Sequence, residues 1–590
     1  MDFRYGYRAD SERNGTLSGD FMNRQANIAI CPFSFPASLP LGPSIIKAFA
    51  EEHSDFKVNC VDLNAEWYNT FVDAALAGKS FVQFTPEART DFAKAAKMFR
   101  DGGDVFWDEA EYQRLSRFFE SIIRKVENVF LDGFERACAK GEYVPPIKAY
   151  AEHAARKLLA NDPSVVGFSL MFREQYMPSV LIAYYVKALR PDVKIVFGGG
   201  YTSACHPSIL FANPFIDFVV FNEGEGGFHA LLMALDEGRT RFDGIANLIW
   251  RDPTVEEGWT KNPKSPSVDF KTQPYPDFSD FQLDSYFQPE PVFPIMSSKG
   301  CAWDKCTFCT HHRSYSGAHR AAPTDRVVGE IEHMVNTYGV KRFAFVDEMI
   351  SPGRFRRISE DLIEKKIDIT WYALAKPDLI YTEEILKVMH DGGCRYILWG
   401  VESANQRIID LMDKGTTPDG VSEVLARSTR AGIHNHLFII VGFPSETEAE
   451  FQETMEFLYD NRNNVHRILA CGFSLDNGSV IFKEPERFGI SRIWDVSNIA
   501  TVSVKYDVEQ GVGCFDTEKH AMFWKTNFFD HFEAFKGDLG LFRNHALLHY
   551  TYPERIKPVG GRRVPNPRKL KPPPYQAGRT VASDRKVLTK

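Results

Sequence analysis

The sequence contains no long hydrophobic run and no strong excess of charge of one sign. Its longest apolar stretches, such as HLFIIVGF, are far shorter than the about 20 residues that a membrane-spanning helix needs. A net charge of -8 over 590 residues gives no general attraction to nucleic acid or anionic membranes. The first residues, MDFRYGYRADSERNG, are polar and do not resemble a secretion or lipidation signal. We therefore expect a cytoplasmic protein without a membrane or nucleic-acid partner.

Cysteines are sparse outside one short segment. Seven of the ten are scattered, mostly in apolar surroundings, as is typical of small buried side chains. The other three, Cys301, Cys306 and Cys309, form a C-x4-C-x2-C pattern within SSKGCAWDKCTFCTHHRS. A chain of this length buries large cores and has no need of a disulfide framework. The clustered cysteines therefore indicate a metal centre.

Strand and helix patterns alternate along most of the chain. Residues 26–74 have a strand–helix–strand pattern, and apolar strands resume at SVVGFSLMF, VKIVFGG and IDFVVFNEGEGG. Between them, residues 75–160 have only helical spacing. Strands that are apolar throughout and alternate with helices predict a parallel, doubly wound sheet, here with a helical insertion. Further strand–helix units predict a partial (β/α)6 barrel.

These patterns predict an α/β protein with five regions. A doubly wound domain is expected at residues 1–250, with its helical insertion at about 75–160. The remaining regions are a polar, Pro-rich linker at 251–290, the barrel at 291–480, a mixed C-terminal region at 481–552 that covers the substrate, and a basic, Pro-rich tail at 553–590 that is expected to be disordered.

Three kinds of metal centre suit the cysteine loop. Zinc would need a fourth ligand such as His311, but its structural sites usually combine two separated knuckles. A plant-type 2Fe–2S centre has this spacing but needs a fourth cysteine, and Cys394 lies several strand–helix units away. A 4Fe–4S cluster on three cysteines leaves one iron open to a ligand. The loop follows the first barrel strand, VFPIM, on the face where parallel barrels hold active sites, which favours the 4Fe–4S cluster.

The loop and four segments after it resemble radical S-adenosylmethionine (SAM) enzymes. GCAWDKCTFC is similar to their cluster loop, usually C-x3-C-x2-C, with one residue added and with the aromatic residue before the third cysteine retained. FAFVDEMIS, WYALAKPDLI, WGVESANQRIIDLMDKG and FIIVGFPSETEAEF are similar to the motifs of the second to fifth strands, with Lys where the third often has Arg. The resemblance implies a 4Fe–4S cluster on Cys301, Cys306 and Cys309. It implies SAM binding by Phe308, Asp347, Glu348, Lys376, Glu402, Ser403, Gly442 and Pro444.

The N-terminal half resembles the cobalamin-binding domain that precedes the barrel in one subgroup of this family. The similar segments include VNCVDLNAE, VVGFSLMF, VKIVFGGGYTS and PFIDFVVFNEGEGGF. The dinucleotide pattern G-x-G-x-x-G is missing, which argues against a nicotinamide or flavin site. The histidine motif D-x-H-x-x-G is missing too, and residues 31–43 take its place. The resemblance implies cobalamin binding by Ser169, Gly198, Gly199, Gly200, Glu223 and Gly224.

The resemblance also implies a reaction. A 5′-deoxyadenosyl radical would activate an unactivated carbon, and cobalamin would supply a methyl group to a small metabolite, natural product or peptide. The alternatives are cyclisation, rearrangement or oxidation without methyl transfer, and a non-enzymatic, metal-stabilised binding or redox-sensing protein. A low-potential electron donor such as a flavodoxin or ferredoxin is the implied partner. His311, His312 and Tyr315, just after the cysteines, are candidates for proton donation or substrate contact.

Overall fold

The computed structural model describes most of the chain, in nine stretches. They are residues 23–142, 144–265, 268–310, 319–494, 503–511, 513–514, 516–532, 542–558 and 564–572. Two large sheets organise these residues, one of seven strands in the N-terminal half and one of six strands in the C-terminal half. None of the described helices is long and apolar enough to cross a bilayer.

The first sheet has the strand order β2-β1-β3-β4-β5-β6-β7. Its first five strands are parallel, and the last two are added antiparallel at one edge. The parallel strands are nearly all apolar because helices cover both of their faces. The strands are β1 (Gln25–Ile30), β2 (Lys57–Asp62), β3 (Val165–Ser169), β4 (Lys194–Gly198), β5 (Phe218–Val220), β6 (Leu248–Arg251) and β7 (Trp259–Lys261).

Helices pack on both faces of this sheet. They are α1 (Leu41–His53), α2 (Leu63–Leu76), α3 (Pro86–Asp101), α4 (Asp104–Trp107), α5 (Glu109–Lys140), α6 (Pro145–Leu158), α7 (Tyr176–Leu189), α8 (Gly200–Ala204), α9 (Pro207–Phe211) and α10 (Gly224–Asp236). Helices α1 and α10 share one core, whereas α2, α3, α5, α6 and α7 share the core on the opposite face. The region between β2 and β3 is helical, as its spacing predicts.

The second sheet has six parallel strands in the order β15-β14-β13-β12-β11-β8. These are β8 (Val292–Ile295), β11 (Arg342–Phe345), β12 (Thr370–Ala375), β13 (Cys394–Glu402), β14 (His434–Val441) and β15 (Arg467–Gly472). The connecting helices are α11 (Thr324–Tyr338), α12 (Pro352–Glu364), α13 (Glu383–Asp391), α14 (Gln406–Leu411), α15 (Pro418–Arg430) and α16 (Glu448–Asp460). The predicted partial (β/α)6 barrel is confirmed.

Smaller elements complete the described chain. A two-stranded ribbon, β9 (Ser298–Lys299) with β10 (Arg320–Ala321), follows the first barrel strand. A small antiparallel sheet has the order β16-β18-β17. It comprises β16 (Leu475–Asp476), β17 (Ile490–Trp494) and β18 (Ser503–Val508), and the last helices are α17 (Val480–Lys483), α18 (Thr517–Asn527) and α19 (Phe542–Thr551).

The stretch 251–290 is part of the fold, so its prediction as a linker is wrong. β7 extends the first sheet, and Phe270, Phe278, Phe281 and Tyr286 are buried in a core that continues from one half of the chain into the other. The segment is polar and Pro-rich overall, but a few widely spaced aromatic side chains supply the surface area that it buries. This segment therefore holds the two halves together.

The C-terminal helix α19 enters the amino-terminal end of the barrel. Ala546 and Leu547 pack on inward-facing side chains such as Tyr372. The hydroxyl oxygens of Thr551 and Thr370, the first residue of β12, lie 3.0 Å apart. Helix α19 closes the end of the barrel opposite the cysteine loop, and that residues 481–552 cover the substrate stays a prediction. The sequence predicted only a mixed C-terminal region here, not a helix inside the barrel.

Part of the tail is ordered, so the prediction of disorder is wrong for residues 553–558 and 564–572. The backbone of Lys557 bonds to Trp107 and Glu109 of the insertion. Pro567 is buried, and Arg568 Nη2 lies 2.7 Å from Glu456 Oε2. Residues 559–563 and 573–590 lie outside the described part of the chain.

Candidate active site

The three clustered cysteines lie on a loop at the carboxyl ends of the barrel strands. The chain leaves β8 at Ile295, forms β9, makes the loop with Cys301, Cys306 and Cys309, and returns through β10. All three thiols are half-buried. Because the six barrel strands are parallel, the predicted SAM-binding segments end on this same face. The predicted catalytic candidates His311, His312 and Tyr315 lie outside the described residues.

Asp347 holds the start of the cysteine loop. Its carboxylate accepts hydrogen bonds from Ser297 N at 3.0 Å, Ser297 Oγ at 2.9 Å and Ser298 Oγ at 2.5 Å. Arg354 Nη2 donates to the carbonyl oxygen of Ser297 at 3.1 Å. Burial raises the pKa of Asp347, and these hydrogen bonds oppose that rise. The structure thus gives Asp347 a role in fixing the loop, while Glu348 beside it is half-buried.

The far side of the loop is fixed to the end of α14. Thr307 N donates to Met412 O at 3.0 Å, and Thr307 Oγ1 donates to Leu411 O at 2.8 Å. Phe308 packs against the apolar cluster that contains Met412 and Phe443. The loop is therefore anchored both before and after Cys306.

Two lysines and an acidic partner stand beside the thiols. Lys414 Nζ lies 2.9 Å from Glu402 Oε1, and both side chains are almost fully buried. Lys376 Nζ lies 3.6 Å from the ring centroid of Trp303 and 3.5 Å from Asp378 Oδ2. Burial lowers the pKa of Lys414, but Glu402, Cys306 and Cys309 outweigh it and raise that pKa above its usual value. Two cations next to three thiolates offset the negative charge that a cluster site gathers.

Lys414→Met is expected to destabilise the barrel strongly. Removing one partner of a buried ion pair leaves the other charge uncompensated, so the free energy of unfolding should fall by about 3–5 kcal/mol. The measurement is urea unfolding of the cluster-free chain. Lys365→Met is the control, because its pair with Glu332 is exposed on both sides and should contribute less than about 1 kcal/mol. Equal effects of the two substitutions would contradict a buried ion pair.

The ends of β13 and β14 carry the other predicted SAM contacts. Ser403 is buried, and its hydroxyl oxygen lies 3.2 Å from Thr454 Oγ1 of α16. Gly442, with a φ of 75°, donates its N–H to Glu446 Oε2 at 3.2 Å, and Pro444 follows it. Burial raises the pKa of Glu446 to about 8, which favours the protonated form of this carboxyl at neutral pH. Whether these side chains contact SAM stays a prediction.

The carboxyl ends of β3 and β4 form a tight backbone cradle in the first sheet. Ser169 pairs with Gly198, and Leu170 N donates to Gly198 O at 2.9 Å. Gly199 has a φ of 100°, and a Cβ atom there would lie 2.3 Å from Leu170 O. Gly200 begins α8. Only glycine at residue 199 permits this close approach of the two strand ends.

An exposed apolar surface adjoins the cradle. Met171 and Phe172, which follow β3, are 62% and 50% exposed. Carboxyl ends of parallel strands are where doubly wound sheets bind their ligands, and exposed apolar side chains there suit the flat face of a corrin ring. The cradle and this surface therefore fit cobalamin.

The donor set also fits an iron–sulfur cluster. Thiolates suit zinc or iron–sulfur centres, and burial raises the pKa of Cys306 while Lys414 and Lys376 counteract that rise. Within the described stretches, no three His, Cys, Asp or Glu side chains converge on a single metal ion. A four-iron cluster bonds each thiolate to a different iron, so its ligands need not converge in that way.

Two family profiles match this chain. Residues 139–232 match the B12 binding domain, and residues 295–458 match the Radical SAM superfamily. An uncharacterized methyltransferase of Pyrococcus horikoshii is 30% identical over 346 residues, which cover 58% of this chain and 71% of that protein. The chain belongs to the radical SAM enzymes that carry a B12-binding domain. The predicted family and the prediction of an enzyme are confirmed, which rules out the non-enzymatic alternative.

Other proteins are similar to the chain at lower sequence identity. The anaerobic magnesium-protoporphyrin IX monomethyl ester cyclase of Rubrivivax gelatinosus is 25% identical over 52% of this chain and 56% of that protein. The methyltransferase TsrM of Kitasatospora setae, solved with cobalamin and a [4Fe-4S] cluster, superposes with a TM-score of 0.55 at 15% identity, covering 78% of each chain. The superposition confirms the predicted fold class. The radical SAM and B12-binding domains of this chain imply a 4Fe–4S cluster, SAM and cobalamin as its cofactors.

Several side chains around the site were not predicted. Trp303 lies within the cysteine loop, Lys414 lies against it, and Ser297 and Arg354 fix its base. Lys414 belongs to the segment WGVESANQRIIDLMDKG that carries the resemblance, so its place in the motif was a usable signal. Ser297 and Trp303 lie in the quoted cysteine segment, whereas Arg354 has no local pattern that marks it.

Proposed function

We propose that this enzyme transfers a methyl group to an unactivated carbon of a small metabolite, natural product or peptide. One contact carries the proposal. Lys299 Nζ, in the stem of the cysteine loop, lies 3.1 Å from Glu223 Oε2, which follows β5 at the predicted cobalamin site. The loops for the two cofactors thus touch, which supports a shared reaction space between cluster-bound SAM and the corrin.

The bound cofactors would supply a hydrogen-abstracting 5′-deoxyadenosyl radical and a transferable methyl group. The chain's own side chains would hold and orient them. The three cysteines would bind three irons, Lys414 and Lys376 would balance the charge, and the cradle at Gly199 would let the corrin approach the backbone. Such positioning of reactants is the main contribution that a protein makes to cofactor chemistry.

The barrel interior suggests the character of the substrate. Leu374, Phe438 and Leu469 are half-buried side chains next to the inward-facing core above α19, and Cys471 follows Leu469 on the same face of β15. The guanidinium carbon of Arg543 lies 5.7 Å from the ring centroid of Phe438. We propose a substrate with an apolar body and an anionic group that Arg543 can bind.

Ring closure without methyl transfer is the second candidate. The relative from Rubrivivax gelatinosus is named a cyclase, and it is 25% identical to this chain over 317 residues. Both reactions would need an external electron donor, for which we propose a flavodoxin or ferredoxin. We also propose a cytoplasmic location, where thiols remain reduced.

Product analysis separates the two candidates. The reconstituted enzyme would be incubated anaerobically with SAM carrying a deuterated methyl group, a low-potential reductant, hydroxocobalamin and substrates suggested by neighbouring genes. Methyl transfer predicts 5′-deoxyadenosine and S-adenosylhomocysteine in equal amounts, with the deuterated methyl group on the product. 5′-Deoxyadenosine with a changed product but without S-adenosylhomocysteine or label would refute methylation and favour the second candidate.

A further inference from the structure

Two basic side chains stand side by side in the stem of the cysteine loop. In the β9–β10 ribbon, Lys299 is the direct partner of Arg320. The stem leads from Lys299 into the first cysteine and returns at Arg320. A displacement of these two residues would therefore move both ends of the loop that carries the cysteines.

Both cations bind acidic side chains of the other domain. Lys299 Nζ lies 3.1 Å from Glu223 Oε2 and 2.5 Å from Glu225 Oε1, and Arg320 Nη2 pairs with Glu223 Oε1. Glu223, Glu225 and Lys299 are each no more than 6% exposed in their side chains. The two glutamates flank Gly224 at the start of α10, on the strand-end loop predicted to bind cobalamin.

Buried ion groups of this kind allow little movement. Separating the two loops would leave several desolvated charges unpaired at once, which is far more costly than breaking an exposed pair. Both oxygens of Glu223 already accept from cations of the barrel. That occupancy favours a linking role for Glu223 over the direct cobalamin contact that the family resemblance implies.

We propose that Lys299, Arg320, Glu223 and Glu225 form an ionic clamp that positions the cobalamin loop against the cysteine loop. These four are positioning residues, because they act through the two loops. The clamp couples the two cofactor sites energetically. An ordered cluster loop therefore strengthens cobalamin binding, and bound cobalamin in turn favours the ordered cluster loop.

The test is the dissociation constant of hydroxocobalamin, measured on the full chain with its cluster assembled and after the cluster is removed. Wild type is expected to bind more tightly with the cluster, by a factor within the about 5- to 150-fold range usual for coupled sites. Lys299→Met should bring this ratio close to one, because the affinity of the cluster-bearing form falls more than that of the cluster-free form. A purely structural defect would instead weaken both forms by the same factor and keep the ratio.

The controls are a double variant that exchanges the two charges and a variant that removes an exposed ion pair. Lys299→Glu combined with Glu225→Lys should restore part of the ratio that Lys299→Glu alone loses. Lys341→Met, which removes an exposed pair with Asp368, should leave the ratio unchanged. If Lys299→Met does not fold, the same affinity ratio can be measured for Arg320→Met, because Arg320 is the less buried of the two cations. A ratio of one in wild type, or a wild-type ratio in the folded variants, overturns the clamp.

The clamp and the proposed function fail separately. The ratio is measured without substrate, so it does not depend on methyl transfer. A wild-type ratio above one, together with 5′-deoxyadenosine and a changed product that carries no methyl label, would leave the clamp standing and refute methylation.

Discussion

Cys306→Ala is expected to abolish cluster assembly and all cleavage of SAM. Cys306 lies between the other two cysteines in the sequence, and the loop around it is anchored by Thr307 to the end of α14. Loss of one thiolate leaves two ligands for a cluster that needs at least three. After anaerobic reconstitution, the variant should contain little iron and acid-labile sulfide, and 5′-deoxyadenosine should fall below detection.

A cysteine outside the loop provides the control for this experiment. Cys138 is buried in α5, and Cys138→Ala removes a thiol of the same kind from a position far from the predicted ligands in the sequence. It should retain wild-type iron and 5′-deoxyadenosine formation. A full complement of iron in Cys306→Ala would show that Cys306 is not a cluster ligand.

Gly199→Ala is expected to remove most of the affinity for cobalamin. The added methyl group would meet Leu170 O at 2.3 Å, in a backbone conformation with a φ of 100°. The ends of β3 and β4 must then separate, which deforms the cradle and moves Met171 away from its place. Such strain amounts to about 1–3 kcal/mol, so hydroxocobalamin should bind roughly tenfold more weakly or worse.

The matched control introduces similar backbone strain without a steric clash. Gly238 also has a positive φ, of 70°, and a methyl group added there would have no neighbouring atom within 4 Å. Gly238→Ala, just after α10, should lower stability slightly and leave the affinity for hydroxocobalamin unchanged. An equal loss of affinity in both variants would mean that the cradle is not the cobalamin site.

The parts of the fold that could be predicted are those that local pattern determines. Apolar strands alternating with amphipathic helices are enough to predict two parallel sheets, and the cysteine spacing is contained within nine residues. The stretch 251–290 and the tail were mispredicted because amino-acid composition indicates only the average exposure of a segment, not the burial of its individual side chains. Their anchors, such as Phe278 and Pro567, are single side chains whose burial depends on distant elements.

In the candidate site, too, local motifs could be predicted from the sequence and contacts between distant segments could not. The motifs that resemble the family predict which strand ends approach the cluster, and the structure places them on one face. They do not predict that Asp347 bonds to Ser297 and Ser298, or that Lys299 reaches Glu223. Such pairings join segments far apart in sequence, so only the assembled fold reveals them.

Metal, sulfide and corrinoid analysis of the anaerobically purified chain tests the central claim most directly. The account predicts a brown protein with about four irons and four sulfides per chain, as expected for one 4Fe–4S cluster, together with bound corrinoid. A colourless protein that contains zinc and neither iron–sulfur nor corrinoid would contradict it.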